Sequence, residues 1–130
     1  MAQRVRVLIG DDEVRARRSL KALLNTWPEI EVVGEAADGQ EAVRLVEERR
    51  PDVVLIDIRM PVMDGLEATR IIKGRYPGSR VIVLTMYADH RADALAAGAD
   101  VFLLKGHPEA LLAALRDIGS RQVGYNGHHV

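Results

Sequence analysis

Five short apolar runs, each followed by an amphipathic or alanine-rich segment, alternate along the chain, and this alternation restricts the fold more than any other feature. The runs lie at residues 5–9, 32–35, 53–57, 81–84 and 101–104. Four are rich in Val, Ile and Leu with little polar interruption, the pattern of strands buried on both faces, while the second, VVGE, reads as a strand with a polar end. Between them, Val14, Leu20, Leu23, Leu24 and Trp27 recur at helical spacing, closed by Pro28. Ala42, Val43 and Val46 line one face of a second helix stopped by Pro51, and Leu66, Ile71 and Ile72 mark a third over 65–73. Alanine-rich 91–98 reads as a fourth helix ending at Gly98, which suits a left-handed C-terminal cap. Pro108 opens a fifth with Leu111, Leu112, Leu115 and Ile118 on one face. Parallel pairing needs a crossover between successive strands, so five such units predict a doubly wound α/β fold with a five-stranded parallel sheet.

At 130 residues and 48% apolar content the chain has the material for one domain with its own core. The pattern breaks at "GSRQVGYNGHHV", where three glycines and two adjacent histidines appear. We therefore expect a domain over 1–119 and a loose tail or the start of a linker over 120–130. A formal net charge of -1 argues against bulk nucleic-acid binding, which usually rests on a basic excess. There is no cysteine for a disulfide or thiolate metal site. The N-terminal apolar run is too short for a signal peptide, and no stretch approaches the roughly 20 residues of a membrane span. The expectation is a soluble cytoplasmic protein without a membrane partner.

In sheets of this kind ligands bind outside the carboxyl ends of the strands. There the sequence places Asp11, Asp12 and Glu13 after the first run, Asp57 at the end of the third, Thr85 after the fourth and Lys105 after the fifth. Asp57 follows four apolar residues, where an unpaired charge is costly unless it surfaces or serves a purpose. Clustered carboxylates raise one another's pKa unless a cation neutralises them, and an all-oxygen donor set favours Mg2+. A phosphoryl group would complete such a site, with Asp57 as nucleophile, Lys105 as a point charge and Thr85 as a hydrogen-bond donor. Each residue also has a structural reading: Asp11 to Glu13 suit a helix N-terminus, and Asp57, Thr85 and Lys105 suit ordinary turn or surface positions. Asp64 and Gly65 read as turn chemistry opening the third helix. His90, His107, His128 and His129 have no ligand-like spacing.

Over residues 5–118 the chain resembles a response-regulator receiver domain of two-component signalling, on "LIGDDE", "VVLIDIRMPVMDG", "VLTMYA" and "FLLKG" in that order. The resemblance implies a flavodoxin-like sheet of order 2-1-3-4-5. It also implies that Asp57 accepts a phosphoryl group from a phosphohistidine of a sensor histidine kinase. Asp11, Asp12 and Asp57, with the backbone carbonyl of Arg59, would hold Mg2+, and Thr85 and Lys105 would sense the phosphate. Phe102 occupies the switch-aromatic position, and Arg59 and Tyr87 the positions that tune the lifetime of the aspartyl phosphate. "EIEVVGEAADGQEAVRL" and "MDGLEATR" are most similar to the NarL/FixJ class of transcriptional regulators. The resemblance then implies a stand-alone or excised receiver, with homodimerisation through the fourth and fifth helices as a further expectation, that meets DNA only through an output domain it does not contain. Two departures stand out. The segment between Thr85 and Lys105 is a couple of residues short, which predicts a short or displaced fourth helix, and Gly106 stands where many receivers have proline. Two other functions remain: a Mg2+-dependent phosphotransferase or phosphatase acting on free substrate, and a pseudo-receiver that binds partners without phosphorylation. Against the first, such enzymes generally carry a second acid two residues after the nucleophile, where this chain has Arg59.

Overall fold

The computed structural model describes residues 4–127, with side chains as far as residue 121. In chain order the elements are β1 (Val5–Gly10), α1 (Val14–Leu24), β2 (Ile30–Ala36), α2 (Gly39–Arg49), β3 (Val53–Ile56) and α3 (Gly65–Arg75). Then come β4 (Arg80–Thr85), a single 3-10 turn (Ala88–His90), α4 (Arg91–Ala96), β5 (Val101–Leu104) and α5 (Pro108–Gly127). The strands form one sheet in the order β2-β1-β3-β4-β5, and every neighbouring pair is parallel.

Strand periodicity divides the core into two. Val7, Ile9, Val53, Leu55 and Ile82 face α1 and α5, where they meet Leu24, Leu111, Leu115 and Ile118. The intervening Leu8, Val54, Ile56, Val81 and Val83 face α2, α3 and α4, where they meet Ala42, Leu45, Val46, Ala68, Ile72 and Ala94. Because alternate side chains point to opposite faces and both faces are covered, the central strands β1, β3 and β4 read as nearly unbroken apolar runs, whereas the edge strand β2 carries Glu31 and Glu35.

The helix ends follow local chemistry. Asp38 accepts from the Glu41 N–H at 2.7 Å while the Glu41 carboxylate accepts from the Ala37 N–H at 2.7 Å, a reciprocal arrangement close to a capping box. Asp64 caps α3 by accepting from the Glu67 N–H at 2.9 Å, in keeping with its reading as turn chemistry. Gly98 adopts φ 104° just beyond α4, as its C-terminal position suggested.

Two expectations need correction. Val14 opens α1 on an exposed position instead of joining its buried face. Trp27 lies past the end of α1, in a turn where its carbonyl accepts from the Ile30 N–H at 3.0 Å. Helix α5 runs on to Gly127. Gly119 is accommodated for a packing reason: a Cβ there would lie 2.8 Å from Val5 Cγ2, so the missing side chain lets α5 lie against β1. His128 and His129 fall outside the described residues. The short fourth helix is observed, as the spacing between Thr85 and Lys105 predicted: α4 has six residues and follows the 3-10 turn.

Candidate functional site

The four polar strand ends come together at the carboxyl edge of the sheet. Asp57 is the first residue beyond β3; its N–H donates to the Gly10 carbonyl at 2.9 Å and its Oδ1 accepts from the Ile58 N–H at 2.7 Å. The Lys105 Nζ donates to Asp57 Oδ2 and to Asp11 Oδ2, each at 2.7 Å. Asp11 also accepts from the Glu13 N–H through Oδ1 at 2.9 Å. Lys105 is held at its own backbone, where its N–H donates to the Thr85 carbonyl at 2.8 Å. Thr85 is 2% exposed at the end of β4.

Burial acts on the Lys105 ammonium to lower its pKa, but the hydrogen bonds and charges of Asp11 and Asp57 outweigh it, and the pKa rises. Lys105 is therefore a fixed positive charge at neutral pH. The acidic run after β1 is not used as a helix cap: Glu13 occupies the N-cap of α1 and makes no side-chain cap bond. Asp12 is exposed beside this pair.

The remaining predicted residues lie around this centre. Phe102 is 8% exposed on β5, opposite Val83 on β4, with the Arg91 guanidinium 5.9 Å from its ring centroid. Arg59 and Tyr87, named separately in the sequence, meet in space with the guanidinium 5.1 Å from the tyrosine ring. Among the described residues no three His, Cys, Asp or Glu side chains converge as a ready metal cage. What is assembled is a pair of carboxylates sharing one ammonium. Such oxygen donors fit a hard cation that keeps much of its water, and no soft or nitrogen ligand competes.

Two supports were not legible as such. Gly65 donates its N–H to the Ile58 carbonyl at 2.7 Å, and a Cβ on it would lie 1.9 Å from the Asp57 carbonyl oxygen, so only glycine lets α3 start against the back of the acidic turn. The sequence marked it as turn chemistry, but close approach leaves no sequence signal of its own. Arg17 reaches from α1 to the Asp11 main-chain carbonyl at 2.5 Å; in the sequence it is one of several arginines on that helix.

The model of the response regulator receiver domain matches residues 7–116. The chain belongs to this family. The receiver is 44% identical over 111 residues to the uncharacterized transcriptional regulatory protein YhcZ of Bacillus subtilis, covering 83% of this chain and 52% of that protein. It is 40% identical over 119 residues to the DNA-binding transcriptional activator DevR/DosR of Mycobacterium tuberculosis, covering 89% of this chain and 55% of the relative. The receiver thus spans about half the length of these two regulators. Among solved structures, the response regulator domain of Thermotoga maritima CheB superposes with a TM-score of 0.84 at 33% identity, covering 91% of this chain and 98% of that one. Receivers are signalling modules, and relatives that are enzymes, such as protein-glutamate methylesterases, match this chain over only about a quarter of their length. No helix among the described residues is long and apolar enough to cross a membrane.

Proposed function

We propose that this receiver is a phosphorylation-dependent switch of a two-component system, with Asp57 as the phosphoacceptor. The observation that carries the reading is the Lys105 ammonium held 2.7 Å from both Asp57 and Asp11, because a cation fixed at that point neutralises a phosphoryl oxygen without reorganisation. A carboxylate oxygen of Asp57 attacks the phosphorus of a phosphohistidine on a sensor histidine kinase. The P–N bond breaks and the departing imidazole takes up a proton. Asp11, Asp12, Asp57 and the Arg59 carbonyl would hold Mg2+, which supplies charge neutralisation on the phosphoryl oxygens. Thr85 and Lys105 hydrogen-bond those oxygens, and Phe102 on the neighbouring strand reads the movement of Thr85. Arg59 and Tyr87, stacked together, set the access of water to the aspartyl phosphate.

A protein donor is supported by the surroundings of the site. Val14 at the start of α1, with Val62, Met86 and Tyr87 on the connections after β3 and β4, are large exposed apolar side chains at this same edge, of the kind that mark contact surfaces. Arg59, where a phosphotransferase acting on free substrate would carry its second acid, stacks on Tyr87 instead. We place the protein in the cytoplasm, with DNA reached only through an output domain and homodimers formed through α4 and α5.

The experiment is intact mass after incubation with Mg2+ and acetyl phosphate, for the wild type and Asp57→Ala. One added phosphate in the wild type and none in the variant is expected. No addition in either, together with no Mg2+ binding, would leave a receiver that works by constitutive protein contacts.

A further inference from the structure

Arg17 differs from the other arginines of α1. Its side chain is 15% exposed, whereas Arg15 and Arg18 stand in solvent. One arm of its guanidinium, Nη1, donates to the Asp11 carbonyl at 2.5 Å, and Nε donates to Glu35 Oε1 on β2 at 3.3 Å. The other Glu35 oxygen is taken by Lys21 Nζ at 3.3 Å, so the carboxylate is braced by two cations from one helix. On the opposite side of the same residue, the Asp11 N–H donates to the Ala36 carbonyl of β2 at 3.0 Å. Both backbone groups of Asp11 are therefore fixed, one by strand backbone and one by the guanidinium. From that fixed backbone its carboxylate reaches the Glu13 N–H with Oδ1 and, with Oδ2, the Lys105 ammonium that Asp57 shares.

We infer that Arg17, braced by Glu35, is a positioning residue that aims the Asp11 carboxylate and so sets the divalent-cation affinity of the acidic pocket. The inference rests on the reading of Asp11 as a cation ligand. A planar fork can grip a carbonyl and a carboxylate at once, which a lysine ammonium at the end of a flexible stem does not reproduce. Two effects of Arg17 oppose each other. Its positive charge near the pocket repels a divalent cation, so deleting the charge alone would tighten binding. Its hold on Asp11 preorganises a ligand, and removing partners of this outer kind typically costs about tenfold in metal affinity. The sign of the change separates positioning from charge.

The test is Mg2+ titration by calorimetry on the whole chain, for the wild type, Arg17→Ala, Arg17→Lys and Glu35→Gln, each first checked for native far-ultraviolet dichroism. Hydrogen exchange at the Glu13 amide is measured without Mg2+. We expect binding about tenfold weaker in both Arg17 variants, a smaller loss in Glu35→Gln, and faster Glu13 exchange in all three. Unchanged or tighter Mg2+ binding in Arg17→Ala overturns the inference. Should Arg17→Ala not fold, unchanged binding in Arg17→Lys and Glu35→Gln overturns it equally. If the wild type takes up no Mg2+, the reading of the pocket as a cation site fails, and unchanged Glu13 exchange then refutes the hold of Arg17 on Asp11 as well.

Discussion

Helices α2 and α4 cover the same face of the sheet but are built to different standards. Helix α2 has eleven residues, a reciprocal cap from Asp38 and Glu41, and buries Ala42, Leu45 and Val46. Its neighbour α3 begins with the Asp64 cap, and the seam between them is closed by Tyr76, whose hydroxyl donates to Glu47 at 2.7 Å. Helix α4 has six residues and no side-chain cap; it buries Ala94 while leaving Leu95 44% exposed. The contrast follows the proposed function. The α2–α3 half forms a fixed back wall to Asp57, while α4 packs beside Phe102 on β5, where a switch needs two arrangements close in free energy.

The strongest test of the fixed half is Gly65→Ala. Its Cβ has no space against the Asp57 carbonyl, so the start of α3 must shift, and urea denaturation should show a loss of about 3 kcal/mol or more. A neutral result would mean that the back wall yields. Next comes truncation at matched leucines. Leu45→Ala should cost about 2–4 kcal/mol, while Leu95→Ala should cost well under about 1 kcal/mol. Similar losses at both would erase the distinction between the two helices. Asp38→Ala should cost about 1 kcal/mol and speed amide exchange in the first turn of α2, narrowing its difference from the uncapped α4. The smallest effect concerns pH at the α2–α3 seam. The hydrogen bond to Glu47 raises the Tyr76 pKa above its usual value near 10. A raised acid binds its proton more tightly when folded, so its contribution is present below the unfolded pKa and lost as pH rises through the folded one. The stability difference between wild type and Tyr76→Phe should therefore be constant at neutral pH and shrink above about pH 10.

Much of this architecture was legible in the sequence. The runs predicted as strands are the five strands, and the clearest of them are the central β1, β3 and β4, where burial on both faces leaves mostly apolar residues compatible. The shortened segment after Thr85 became a short α4 because sheet pairing fixes both ends of the connection. Failures occurred where helical spacing was read without its surroundings. Val14 fits the period of α1 but lies beyond the sheet that would cover it, and Trp27 is carried past the helix end by a turn. Gly119 is where α5 is thin enough to rest on Val5, a packing role that spacing does not show. For the site, the acids, Thr85 and Lys105 stood out because a polar residue at the end of a buried run is conspicuous. Gly65 was legible as a turn but not as a close contact, and Arg17 as one basic residue among several.

By itself, then, the sequence determined the order and type of the elements and which polar residues reach the carboxyl edge. Those depend on periodicity and on where an apolar run stops, both local properties of the chain. The tertiary structure decided that the ammonium of Lys105 is shared between Asp57 and Asp11, a residue 94 positions away, and that Arg17 grips the back of Asp11. Those pairings depend on strand order, register and the direction in which each side chain leaves the backbone, and nothing in residue spacing along the chain encodes them.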